Sequence, residues 1–388
     1  MGADSGAARM RTVGAVALTS GLLLLAAGCS GEPLRDSAAR TSSHCPTTEA
    51  DRKALDAKLT AALTQQFEPI KDNLNNLRAV LIDVCGTRVH EEYRSASADE
   101  SRNIASVTKS FVGTLVGIAL ADGSLKGLNQ TLGELLPQYR GAMSTKVAGI
   151  TLRQLLTMTG GLDADQSNAT VGAWMESDRF VERILREGIV EAPGTFAYSS
   201  ASSHLLSAIL ATATGRPVMD YAVEKLFGPL GIATRGATQP LLVPASEAAY
   251  NKASFSWPVD HQGFNFGGGW LKMRPQDMAK LGQLYLDNGT WKGHQVVPAT
   301  WVHAATTGQV PAPGAFGGEE YGYQWWVTTA GGHPAYAAIG FGGQLVEVVP
   351  DKSVVAVFST ALDPEGIPRV DGHLYEVIVS TTIQGALP

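Results

Sequence analysis

Leu55, Leu59, Ala62 and Leu63 recur at helical spacing between Asp51 and Phe67, which predicts an amphipathic helix there. Ala79 to Val84 is apolar except for Asp83 and reads as a strand. Cys85-Gly86-Thr87 follows as a tight turn, so Arg88 to Tyr93 returns antiparallel to it. From Ser106 to about Ala121 the pattern changes, because Phe111, Val112, Leu115, Val116, Ile118 and Leu120 leave almost no polar face. A helix that is apolar nearly all round lies in the interior. Asp122-Gly123-Ser124 stops it.

The middle of the chain reads as helical. Thr151-Leu152-Arg153-Gln154 has the form of a capping box, and Gly160-Gly161 ends the short helix it opens. Phe180 to Arg186, Ser203 to Thr214 and Met219 to Phe227 continue the pattern. Pro275-Gln276-Asp277 opens another helix, with Pro and an acid in its first turn, and Asn288-Gly289 closes it. Strands return at Tyr323 to Thr328, Leu345 to Val349 and Val354 to Phe358, with Pro350 to Ser353 as a hairpin turn. Tyr375 to Ile383 reads as a closing helix, against the weak helix propensity of its β-branched run. Terminal segments supply a sheet and the middle supplies helices. The expected class is α+β: an antiparallel sheet flanked by terminal helices, with a mostly helical subdomain inserted at roughly residues 105–250 of a single domain, 51–388.

Composition narrows the function. Charged residues are only 17% of the chain and the formal net charge is −6, so no basic face for nucleic acid is expected. At 44% hydrophobic the chain is too apolar to be disordered. Its 43 glycines follow no Gly-x-y period, which excludes collagen and favours a loop-rich globular protein.

Residues 1–28 read as an address. Arg9 and Arg11 precede an apolar stretch, Val13 to Ala27, which is shorter than the ~20 residues a spanning helix needs. It ends in Leu25-Ala26-Ala27-Gly28-Cys29, a sequence that resembles a lipobox, in which the cysteine is diacylated and becomes the first mature residue. Two acyl chains suffice for stable anchoring. The expectation is a lipoprotein signal peptide, a lipid on Cys29, a tether over 29–50 and an extracytoplasmic protein that meets the membrane only through its anchor; an ordinary cleaved signal would give a secreted protein instead. Cys45 and Cys85 are then left as an even pair in an oxidising compartment, and a disulfide between them is expected.

Several common catalytic motifs are missing. There is no Gly-x-Ser-x-Gly elbow, no phosphate-binding Gly-x-x-x-x-Gly-Lys and no Gly-x-Gly-x-x-Gly fingerprint. His90-Glu91-Glu92 lacks the second histidine of a zinc helix, and neither a metal nor an organic cofactor is implied. One nucleophile candidate remains: Ser106-Val107-Thr108-Lys109. Ser106 begins the apolar helix, where unbonded N–H groups and the positive end of the macrodipole lie. Lys109 follows one turn later on the same face. Desolvation there favours the neutral amine, and an amine beside a hydroxyl is a base beside a nucleophile. The plain alternative is a helix cap followed by a surface lysine.

Two further segments bear on that choice. Tyr198-Ser199-Ser200, on a loop after Pro193-Gly194, offers a phenol that could relay a proton between nucleophile and leaving group. Gly340-Phe341-Gly342-Gly343-Gln344, just before a strand, offers a backbone open enough for a substrate carbonyl to approach. Each alone has a bland reading as a turn or bulge.

In this order the three segments resemble the penicillin-recognising serine hydrolases, in which Ser-x-x-Lys, Tyr-x-Asn or Tyr-x-Ser, and Lys-Thr-Gly or a variant line one cleft. The similarity is to the class C β-lactamase-like branch of esterases and 6-aminohexanoate-dimer hydrolases. Ser106 to Asp122, Thr151 to Leu162, Gly267 to Trp291 and Gly340 to Pro350 carry it, and the likeness spans roughly Val80 to Thr360. The resemblance implies a β-lactamase/transpeptidase-like fold and an acyl-enzyme on Ser106. Lys109 would take the serine proton and Tyr198 would deliver one to the leaving group, with either as the principal base. The N–H groups of Ser106 and Gln344 would hold the oxyanion, Gly342 and Gly343 would admit the substrate, and Ser200 would bond Lys109 or substrate.

Phe341 stands where penicillin-binding members carry Lys or His, and Ser200 replaces Asn. A β-lactam or D-Ala-D-Ala carboxylate wants a cation or hydroxyl that Phe341-Gly342 does not provide. The expected substrate is therefore a small ester or amide. A β-lactamase or D,D-peptidase, and an inactive wall-binding or sensor protein, are the alternatives. Trp174, Phe264, Phe266, Trp270, Trp325, Trp326 and Phe341 could line an acyl pocket or simply pack in the core. The oligomeric state is left open.

Overall fold

The computed structural model describes residues 45–162, 174–189, 193–234, 241–242, 247–315, 318–362 and 372–387, all within one unit, Ser42–Pro388. The expected export signal, Cys29 and most of the tether lie outside the described residues. Helix α1 (Glu49–Phe67) opens on a capping box formed by Thr48 and Asp51 and buries Leu55, Leu59, Leu63 and Phe67. Strands β1 (Leu77–Val84) and β2 (Thr87–Tyr93) form the expected antiparallel pair. Two short pairs follow in the middle of the chain, β3 (Arg102–Asn103) with β4 (Lys272–Met273) and β5 (Thr290–Trp291) with β6 (His294–Gln295). The late strands are β7 (Val310–Ala315), β8 (Gly318–Tyr321), β9 (Trp326–Ala330), β10 (His333–Gly340), β11 (Gln344–Val349) and β12 (Val354–Thr360).

The main sheet runs β2-β1-β12-β11-β10-β9-β8-β7, antiparallel throughout. Alternation along its strands makes two cores. Val80, Ile82, Leu345, Val354 and Phe358 face α1 and the C-terminal helix Gly372–Ala386. Leu81, Val346, Val348, Val355 and Val357 face the other way, onto α2 (Val107–Ala121) and the helix Pro275–Leu286. Helices therefore cover both faces, and α2 is central, with thirteen consecutive residues from Val107 to Ala119 buried.

Three boundaries and one whole strand differ from expectation for local reasons. The helix expected from Ser203 starts at Ser200, because the Ser199 hydroxyl accepts the Ser202 N–H (2.8 Å) and caps it one turn earlier. The strand expected from Tyr323 starts at Trp326, since Gln324 takes φ +63° and turns the chain. The Met219–Phe227 segment is α-helical only over Val218–Ala222, then widens into a π turn over Val223–Phe227 closed by the Gly228 N–H on the Val223 carbonyl. Finally, β10 was not foreseen, because Pro334 and three alanines give it little β propensity.

Cys45 and Cys85 are joined in a disulfide, with their Cα atoms 5.7 Å apart and a sequence separation of 40. It ties the chain ahead of α1 to the β1–β2 turn. Closing a loop of that length removes about 3–4 kcal/mol of unfolded-state entropy in the chain-entropy treatment. Reduction, or Cys85→Ser, is therefore expected to lower the unfolding free energy in urea by about 2–4 kcal/mol. An unchanged midpoint after complete reduction would show that the crosslink constrains nothing the fold does not already hold.

Candidate active site

The segment before α2 is shaped before its chemistry begins. Asn103, in β3, accepts the Ala105 N–H on its side-chain oxygen (2.9 Å), and Ala105 takes φ +46°, a left-handed conformation rare for a residue with a side chain. This bend delivers Ser106 to the N-terminus of α2. Ser106 does not cap the helix with its side chain. Its Oγ lies 3.1 Å from Lys109 Nζ and 3.5 Å from the Gly268 carbonyl oxygen. The plain reading of a capping serine and a surface lysine is thus excluded by position: Lys109 is 1% exposed.

Lys109 Nζ donates to Ser106 Oγ (3.1 Å), Ser200 Oγ (3.1 Å) and the Gly268 carbonyl (2.6 Å). In its uncharged form an amine keeps one lone pair, and turned toward Ser106 Oγ that lone pair would accept the hydroxyl proton. Ser200 is in place because it opens the helix Ser200–Thr214. Gly268 was not singled out from the sequence, although the run Gly267-Gly268-Gly269 signals close backbone approach. A Cβ on Gly267 would sit 2.1 Å from the Ser203 carbonyl oxygen, so this run lies directly on the first turn of that helix.

Tyr198 comes to the same place. Its ring stacks on Trp326 (centroids 5.5 Å apart, 22° between planes), and Lys109 Nζ lies 5.0 Å from its centroid. Phe196 and Tyr321 pack on Trp326 from its other sides, which fixes the stack. Burial first, and the neighbouring Tyr198 second, push the Tyr321 phenol well above its usual range. Ser106, Tyr198 and Ser200 are each partly exposed, so solvent and a small substrate reach the cluster.

Gly340-Phe341-Gly342-Gly343 is the β10–β11 turn. A Cβ on Gly340 would meet the Ile104 carbonyl oxygen at 2.6 Å and the Ser106 nitrogen at 3.1 Å, so only glycine lets β10 come this close to the Ser106 backbone. Gly340→Ala is expected to cut turnover by at least about 10-fold through this displacement, since errors near 1 Å at a reacting centre cost up to about 100-fold. Wild-type rates would mean that the turn plays no part. The Gly342 carbonyl accepts from Thr360 Oγ1 (2.6 Å) and Asn76 Nδ2 (3.3 Å), and Gln344 Nε2 donates to Thr360 Oγ1 (2.6 Å). The buried Gln344 side chain thus anchors the turn, and Gln344 itself begins a strand flanked on both sides, by β10 and β12.

Gln324 braces the cluster from beneath. Its side chain accepts from Ser203 Oγ (2.8 Å) and donates to the Leu156 carbonyl (2.9 Å), while its own carbonyl accepts from Ser110 Oγ (2.7 Å). It joins α2, the helix Leu152–Leu156 and the helix Ser200–Thr214 behind Lys109. No sequence motif marked it, Asn103 or Thr360.

The model of the family described as Beta-lactamase matches residues 74–378. The chain belongs to the Beta-lactamase family. Among its relatives is the 6-aminohexanoate-dimer hydrolase of Paenarthrobacter ureafaciens, 25% identical over 84% of this chain and 85% of that protein. The D-alanyl-D-alanine-carboxypeptidase/endopeptidase AmpH of Escherichia coli K12 is 28% identical over 49% of this chain and 50% of its own. Among solved structures, EstCE1, a hydrolase with promiscuous acyltransferase activity, superposes with TM-score 0.67 at 17% identity, over 86% of this chain and 100% of that one. The D-amino acid amidase of Ochrobactrum anthropi SV3 superposes with TM-score 0.62 at 17% identity, over 84% and 98%. The fold is β-lactamase/transpeptidase-like, an α+β arrangement of antiparallel sheet and helices, as the resemblance implied, and the chain is a hydrolase of that fold.

Within this family frame, the seven candidate pocket aromatics divide. Trp174, Phe266, Trp325 and Trp326 are buried, the first two packed with His204 and Trp325 with Tyr285 and Tyr336. Their role is packing, and in Trp326 the support of Tyr198. Phe264 and Trp270 are partly buried against the core. Phe341 is 53% exposed in the glycine turn, the one aromatic of the seven set out in solvent, next in sequence to the Gly340 that packs on the Ser106 backbone.

Proposed function

We propose that this protein is a serine hydrolase of carboxylic esters and small amides, working through an acyl-enzyme on Ser106. One observation carries the reading: a buried lysine nitrogen 3.1 Å from a partly exposed serine hydroxyl, held there by Ser200 Oγ and the Gly268 carbonyl. In the proposed cycle Lys109 takes the hydroxyl proton as Ser106 Oγ bonds to the substrate carbonyl carbon. The carbonyl oxygen becomes an oxyanion, held by the Ser106 N–H at the helix N-terminus and a second N–H from the Gly340–Gln344 turn. Tyr198 hands a proton to the departing alcohol or amine. Water, activated by the same Lys109–Tyr198 pair, then releases the acid and restores the serine.

The exposed Phe341 supports an apolar substrate face and offers no charge to a carboxylate. A relative named for 6-aminohexanoate-dimer hydrolysis, and a structural neighbour described as a hydrolase with promiscuous acyltransferase activity, support the same reading. A panel of p-nitrophenyl esters of rising chain length, a linear 6-aminohexanoate dimer and nitrocefin tests it on the purified chain. Ester or dimer turnover well above nitrocefin turnover is expected. Nitrocefin or a D-Ala-D-Ala peptide as the best substrate would overturn it in favour of cell-wall chemistry. We also propose that Cys29 carries the lipid and holds the enzyme outside the cytoplasm; the Cys45–Cys85 disulfide suits that compartment.

A further inference from the structure

A polar pair is buried where apolar side chains would pack as well. His204 and Asp260 are each 0% exposed, with His204 Nε2 3.0 Å from Asp260 Oδ2. Trp174 stacks on the imidazole (centroids 5.9 Å apart), and Phe266 and Phe180 close around it at 5.3 and 5.6 Å. Burying such a pair is costly, and well-packed hydrophobic residues are often at least as stable in its place. What the pair adds is direction.

The hydrogen bonds run in one sequence. Asp260 Oδ1 accepts the N–H groups of Gln262 and Phe264, both at 2.9 Å, which fixes the carboxylate in its own loop. The Gly267 N–H donates to His204 Nδ1 (3.4 Å), so the ring hydrogen sits on Nε2 and is donated to Asp260. The next residue, Gly268, directs its carbonyl onto Lys109 Nζ at 2.6 Å. His204 lies on the same helix as Ser200, one turn further on, and Ser200 Oγ is another acceptor of the amine. Gly268 and Ser200, two of the groups that hold the amine beside Ser106, are thus carried by segments that meet at one imidazole.

We propose that His204 and Asp260 are positioning residues that aim the lone pair of Lys109 at Ser106, acting through the main chain of Gly267 and Gly268. The inference rests on the reading of Lys109 as base. Asp260→Asn conserves shape but places an amide NH2 against His204 Nε2–H. The ring relieves that conflict only by moving its hydrogen to Nδ1, where it opposes the Gly267 N–H. Either way Gly268 loses its register.

The test is the first-order acylation rate constant at saturating p-nitrophenyl ester, followed by stopped flow. This constant does not depend on what fraction of a preparation is folded. In D260N it is expected to fall about 10- to 100-fold, with the substrate concentration at half-saturation changed less than about two-fold. H204Q breaks the same sequence from its other member and serves if D260N does not accumulate. An unchanged rate constant in a folded variant overturns the proposal, as does an equal loss spread over binding and rate. In the unaltered protein, 15N imidazole signals should place the hydrogen of His204 on Nε2, and a hydrogen on Nδ1 would also overturn it. If the wild type shows no acylation at all, the serine-hydrolase reading has failed first, and that is visible before any variant is made.

Discussion

Ser106→Ala is expected to lower ester turnover by on the order of 10^4 to 10^6, with the substrate still bound. The size follows from the site. No other hydroxyl in the cluster combines Lys109 with the α2 N-terminus, since Ser200 shares the amine but opens a different helix. Ser110, four residues on, is buried and donates to the Gln324 carbonyl. Removal of one oxygen from a partly exposed position leaves packing intact, so the melting temperature should hardly move. Steady-state kinetics with a thermal melt as control checks this, and retention of more than a few per cent of wild-type turnover would exclude Ser106 as nucleophile.

Lys109→Met should reduce kcat by about 10^2- to 10^4-fold, the range general-base catalysis supplies, with KM nearly unchanged. Methionine matches the length of the lysine stem and keeps the core filled. It also removes the closer donor from the buried Gly268 carbonyl, leaving Ser106 Oγ at 3.5 Å, which costs up to about 1–3 kcal/mol, so unfolding must be measured beside the kinetics. A fall in kcat far larger than the loss of folded protein accounts for is the signature of a lost base. Equal changes in kcat and in the folded fraction would reduce Lys109 to a structural residue.

Much of this arrangement was readable in advance, for definite reasons. Phe111, Val112, Leu115, Val116 and Ile118 made the burial of α2 legible from pattern, whereas a surface position for Lys109 stayed open until its 1% exposure was seen. The capping box at Thr151 and the β1–β2 turn have side-chain signatures and form as written. Elements without such signatures were missed. β7 contains Pro311 and Pro313 and β10 contains Pro334, and each is a strand only because a neighbouring strand pairs with it. The helix Ala299–Ala305 has too few large apolar residues to announce itself. In the site, the side chains of Ser106, Lys109, Tyr198 and Ser200 were legible as candidates, whereas the Gly268 carbonyl that meets Lys109 was not. A carbonyl such as that of Gly268 is present in every residue, and only the fold selects which one meets an amine. Gln324 and Asn103 act by holding backbone, so their chemistry resembles that of any loop amide until the partners are seen.

Everything functional here depends on Ser106 Oγ becoming the covalent attachment point of the substrate acyl group. Intact-mass spectrometry after brief mixing with an activated ester, followed by peptide mapping, tests this directly. One acyl mass increment is expected, located on the peptide containing Ser106 and absent from Lys109→Met on the same time scale. Turnover of the ester without any increment on that peptide, or an increment carried by another residue, would contradict it.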